Sequence, residues 1–65
     1  MKKNSEEKKR SFAATLRKYR LDHNISQEEL ARLIGTSVFS VSRWERAVHY
    51  PPNSTLRLMR MIGVL

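Results

Sequence analysis

The stretch NISQEELARLIG, residues 24–35, confines a helix between two firm punctuation marks. Ser26 and Glu29 have the S-x-x-E spacing of a capping box, in which each side chain satisfies a backbone N–H at the helix start. Gly35 then supplies the left-handed residue that ends a helix. The helix between them, about residues 27–34, is too short to stand alone, because isolated helices of fewer than about 12 residues are marginal in water. Leu30, Leu33 and Ile34 must therefore bury against partners close in sequence.

The next helix follows at once. Ser37 is a good N-cap, and Val41 with Trp44, three residues apart, marks a buried side for a helix over about residues 38–46. Upstream, Phe12, Leu16 and Tyr19 recur at helical spacing, His23 continues the stripe, and Arg17 and Lys18 fall opposite. This predicts a first helix ending near His23. The opening MKKNSEEKKR, residues 1–10, is polar throughout and reads in two ways. It is a solvated basic arm, or it extends helix 1 from a cap at Asn4 or Ser5, with Glu6 and Glu7 suiting the helix dipole. After the AVHYPPN loop, Asn53 or Ser54 is the expected cap of a fourth helix. That helix should turn Leu58, Met59 and Ile62 inward and stop at Gly63.

No stretch alternates apolar and polar residues with strand period. The expected fold is all-α: a compact four-helix helix-turn-helix domain over residues 11–65, possessing either a basic arm or an extended first helix over residues 1–10.

Chemistry is bounded by composition. The 65 residues hold no cysteine, and His23 and His49 lack the partners that zinc-ligand spacing requires, so no metal site is expected. No run approaches the roughly 18 apolar residues of a membrane span, and the start lacks the apolar stretch of a signal peptide. Asp22 and His23 point different ways on a helix, and no nucleophile motif surrounds a serine, which argues against an enzyme. Thirteen Lys and Arg against six Asp and Glu leave a formal charge of +7, which favours an anionic partner, nucleic acid before membrane surface. Dispersed basic residues, and apolar stripes needed for the core, disfavour the membrane.

On a wheel of about 100° per residue, Phe39, Arg43 and Arg46 lie about 140° to 200° from Val41, flanked by Ser40 and Ser42. An outward Arg beside small hydroxyls and an apolar ring suits the DNA major groove. Arg donates two hydrogen bonds to guanine O6 and N7, and apolar groups meet thymine methyls. Gln27 and Thr36, near helix N-termini, are placed to donate to phosphates. The alternative is an ordinary solvated face.

The run ISQEELARLIGTSVFSVSRWERAVHYPP resembles the Cro and phage-repressor (XRE-like) helix-turn-helix family, on Gln27, Leu30, Ala31, Gly35, Val41, the WER of Trp44 to Arg46, the proline loop and a helix ending in Gly63 and Val64. The resemblance implies a recognition helix at about residues 38–46, with Val38, Phe39, Ser40 and Arg43 at base-reading positions and Ser42 beside them. It also implies that Arg20 pairs with Glu45. Backbone contacts are expected from Gln27, Thr36, Ser37, Arg46 and the basic Lys8, Lys9 and Arg10. Ala47 departs from the family, which has glycine there.

Met61, Val64 and Leu65 are candidates for a homodimer contact. The expected function is sequence-specific binding of double-stranded DNA by a cytoplasmic, bacterial or phage-encoded transcriptional repressor, acting as a homodimer on a palindromic operator. No cofactor and no small-molecule substrate is indicated. The rivals are a DNA-binding antitoxin or counter-defence regulator and, in another class, a protein-interaction module that docks through Phe39.

Overall fold

The computed structural model describes residues 5–65; Asn4, one of the two expected caps, and the start of the basic segment lie outside the described residues. Four helices follow in order: α1 Ser5–Asp22, α2 Gln27–Ile34, α3 Val38–Glu45 and α4 Asn53–Met61. Helix α1 carries Glu6 and Glu7 in its first described turn, where carboxylates complement the exposed backbone N–H groups, and it is continuous through residues 5–10 of the basic segment. Ion pairs along its surface join Lys9 to Glu6 at 3.5 Å and Lys18 to Asp22 at 2.8 Å. Such exposed pairs are screened by solvent and add little to stability.

The expected capping box is present at α2: Ser26 Oγ accepts from Glu29 N at 3.1 Å, and Glu29 Oε1 accepts from Ser26 N at 3.0 Å. Ser37 caps α3 by accepting from Ser40 N at 3.2 Å. For α4 the expectation needs correction. The N-cap is Pro52, whose carbonyl accepts from Thr55 and Leu56, and no side chain caps the helix. The extended Pro52 delivers the chain into helical geometry at Asn53, so Asn53 and Ser54 already lie within the first turn.

All four helices end the same way. A residue with left-handed backbone, Asn24, Gly35, Ala47 or Gly63, is followed by one whose N–H reaches back five residues, from Ile25 to Arg20, Thr36 to Ala31, Val48 to Arg43 and Val64 to Met59. This closure satisfies carbonyls that the helix end leaves without partners. Ala47, at φ 62°, occupies a conformation that penalises any Cβ.

The core gathers Phe12, Leu16, Leu30, Ala31, Ile34, Val41, Trp44, Leu56, Met59 and Val64, with Tyr19 and Ile25 packed at its edge. Helix α3 packs on both α1 and α2, and α4 packs on α2. Phe12 meets Trp44 edge to face, with ring centroids 6.3 Å apart. Several expected core positions lie elsewhere. Leu33 is 52% exposed, because α2 is buried along Leu30, Ala31 and Ile34, an arc whose centre lies about 100° from Leu33. Leu58 and Ile62 are exposed for a similar reason: Leu56, with Met59, defines the buried side of α4. His23 is exposed too, stacked on Tyr19 with its Nδ1 2.8 Å from the Tyr19 carbonyl oxygen. Val64, expected in a dimer contact, is buried instead. The closure at Gly63 folds the chain back so that Val64 N donates to Met59 O at 2.8 Å, and the side chain enters the core.

Candidate nucleic-acid interface

The two short helices are fixed to each other by their sequence. Eight-residue α2 ends at Gly35, and only Gly35, Thr36 and Ser37 separate it from α3. A connection this short leaves the two axes little freedom, and burial of Leu30, Ala31 and Ile34 against Val41 and Trp44 fixes the crossing. Helix α3 is thereby divided lengthwise. Val41 and Trp44 are buried, whereas Phe39 is 69% exposed and Arg43 and Arg46 are exposed beside it. Among the described residues neither arginine has an ion-pair partner, so both guanidinium groups are available.

Val38, Ser40 and Ser42 are half-buried on the flanks of this face. Ser37 Oγ donates to Ser40 Oγ at 3.2 Å while accepting from Ser40 N, so the Ser37 hydroxyl proton is engaged and the Ser40 proton stays available. Thr36 and Val38 line a recess of about 220 Å³ with Glu28, Ala31 and Arg32 at the helix-to-helix turn.

Behind the outer face lies a polar hub. Glu45 is 5% exposed, and its carboxylate accepts from Arg20 Nε at 2.8 Å, Arg20 Nη2 at 3.1 Å and Gln27 Nε2 at 3.2 Å. Arg20 also donates from Nη1 to the Ile25 carbonyl at 3.3 Å. The hydrogen bond to Glu45 raises the Arg20 pKa, because the paired carboxylate favours the charged guanidinium. Four polar contacts thus connect α1, the loop after it, the first residue of α2 and the last residue of α3. Among the described residues no buried side-chain polar atom lacks a partner.

Gln27, expected to face phosphate, also has an internal partner: one side-chain N–H goes to Glu45 at 3.2 Å. Nothing local in the sequence signals this, because the two residues are 18 positions apart and meet only through the packing of α2 on α3. The basic residues of α1 also separate. Lys9 pairs with Glu6, Arg10 is exposed, and Lys8 Nζ stands 5.4 Å over the Tyr50 ring in the loop before α4. Met61 is 77% exposed, and helical spacing puts it on one side of α4 with exposed Leu58 and Ile62, two residues that the sequence pattern turns inward; Leu65, 39% exposed, lies on another side, beside Leu56 and Arg60.

No group of three His, Cys, Asp or Glu that could hold a metal is present among the described residues, and none of their helices is long and apolar enough to cross a membrane. Comparison with known proteins places the same geometry in context. Searches among curated proteins and among solved structures find no match. A family model described as helix-turn-helix matches residues 16–60, a span that holds all of α2 and α3, the Arg20 to Glu45 pair and most of α4. This is a DNA-binding regulatory family rather than an enzyme family, and its members bind double-stranded DNA. With the match covering more than half of the sequence, the chain belongs to the Cro and phage-repressor (XRE-like) helix-turn-helix family of DNA-binding proteins.

Proposed function

We propose that the protein is a transcriptional repressor that binds a palindromic operator as a homodimer, reading bases with α3. The observation that carries this reading is the outward placement of Phe39 and Arg43 on the side of α3 opposite buried Val41 and Trp44. Arg43 specifies guanine through a two-pronged contact to O6 and N7, and Phe39 and Val38 favour thymine methyls beside it. Ser40 and Ser42 donate to bases or phosphates. Thr36, Ser37 through its backbone N–H, Arg46 and the basic Lys8, Lys9 and Arg10 hold the backbone, and Gln27 retains a second amide hydrogen for a phosphate. A net charge of +7 supports the sequence-independent attraction such a reader needs.

Homodimer formation is supported by the exposed apolar side chains Leu58, Met61 and Ile62 on α4, with exposed Leu65 after them, and two copies would read half-sites about 34 Å apart. An antitoxin or counter-defence regulator would use the same surface, and the neighbouring gene distinguishes those roles. A second reading, docking of a protein on α3, draws support from the 69% exposure of Phe39.

Selection of bound duplexes from random DNA, followed by affinity measurements over a salt series, tests the proposal. A palindrome with fixed half-site spacing is the expected result, and Arg43→Ala should cost about 1–3 kcal/mol at one base pair per half-site. Absence of any selected, salt-sensitive site would overturn DNA reading in favour of protein docking.

A further inference from the structure

A groove of about 290 Å³ opens between α1 and α4, lined by Lys8, Ser11, Phe12, Tyr50, Leu56 and Arg60 among others. Its floor and its rim differ in chemistry. Phe12 and Leu56 are 7% and 6% exposed and form an apolar base, while Tyr50 stands as an aromatic wall with its ring centroid 5.5 Å from that of Phe12. Lys8 and Arg60 approach from two different helices, and neither has an ion-pair partner among the described residues. Ser11 and Tyr50 add hydroxyl groups that make no hydrogen bond within the described protein. No lining residue belongs to α2 or α3, so the groove is separate from the outward face of α3.

We propose that this groove binds a small amphipathic organic anion, an apolar ring or short chain carrying one carboxylate, with the ring seated on Phe12, Leu56 and Tyr50 and the carboxylate between Lys8 and Arg60. Two cations without an ion-pair partner, Lys8 resting on the Tyr50 ring, stand beside apolar side chains and favour a ligand that combines both characters: charge alone makes no use of the aromatic wall, and apolar surface alone gives the cations no counter-charge. The volume lies at the small end of the roughly 300–1,000 Å³ of small-molecule sites, which limits the ligand to about one fused ring pair.

The test uses 2-naphthoate as probe on the full chain, followed by amide proton and nitrogen chemical shifts. Neutral 2-naphthol and inorganic phosphate serve as parallel arms. Saturable shifts at Ser11, Tyr50 and Arg60 with 2-naphthoate are expected, together with markedly weaker binding of 2-naphthol and no saturation by phosphate over the same range. Lys8→Gln and Arg60→Gln, which keep much of each exposed stem, should each weaken 2-naphthoate about two- to fivefold, as expected for exposed charge pairs, whereas Arg17→Gln on another face of α1 should not. Equal binding of 2-naphthol, equal binding of phosphate, shifts located elsewhere, or indifference to both groove substitutions would each overturn the proposal. No DNA enters the experiment, so its outcome is independent of the repressor reading.

Discussion

The side-chain amide of Gln27 donates to Glu45 Oε1 at 3.2 Å, so the first residue of α2 and the last of α3 share a carboxylate that Arg20 also holds. The contact ties the angle between the two helices to a buried charge. Gln27→Ala should lower the unfolding free energy by about 1 kcal/mol, the usual net worth of such a bond. Gln27→Glu should cost more, by setting a second carboxylate against Glu45. Urea unfolding followed by circular dichroism measures both, and unchanged stability in Gln27→Ala would show that the amide does no internal work.

Ala47 ends α3 with φ 62°, the conformation that Gly35 and Gly63 supply at the ends of α2 and α4. Ala47→Gly relieves the Cβ penalty but makes the unfolded chain more flexible. The balance should be a gain of about 0.5–1 kcal/mol, seen as a Tm raised by several degrees. Gly35→Ala should move the Tm the other way. Its Cβ would meet nothing within 4 Å, so its cost comes from the backbone conformation alone.

The Glu29 carboxylate lies below its ordinary pKa, chiefly because it accepts the Ser26 backbone N–H, with the Ser26 side-chain hydrogen bond adding to the effect. A depressed folded-state pKa means that this contribution is complete above the unfolded-state value near 4.5 and fades as pH falls through the lower folded-state value. Glu29→Gln should therefore flatten the acid limb of the stability profile below about pH 4.5. Thermal melts from pH 7 to pH 2.5 compare the two proteins, and parallel acid limbs would contradict the assignment.

Met61, 77% exposed, is the most exposed large apolar side chain of α4. Met61→Lys should leave the fold intact, because the side chain makes no part of the core. If two copies meet there, affinity for a paired operator should fall about tenfold or more, some 1.4 kcal/mol, while binding to an isolated half-site stays the same. Sedimentation of the free protein and gel shifts on full and half sites supply the two readouts.

The elements were legible where their signals are local. The Ser26 and Glu29 reciprocal cap and the Gly35 stop involve residues at most four or five apart, so side-chain type and spacing suffice to place α2. Val41 and Trp44 likewise identify the buried side of α3, and the exposed side follows from helical geometry. The cap of α4 is not legible in this way: Asn53 and Ser54 are common cap residues, while the conformation of Pro52 decides where the helix begins.

By itself the sequence determined an all-helical chain, the lengths of its two central helices, the tight turn between them and an arginine and phenylalanine on one side of α3. Each of these follows from hydrogen bonds and periodicity within a few residues. Only the tertiary structure decided that Leu33, Leu58 and Ile62 stay exposed, that Val64 closes the core, that Gln27 meets Glu45 and that Lys8 and Arg60 share a groove. Those outcomes depend on the angle at which one helix crosses another. A rotation of a few tens of degrees about a helix axis exchanges flanking positions between core and solvent, and no local pattern specifies it.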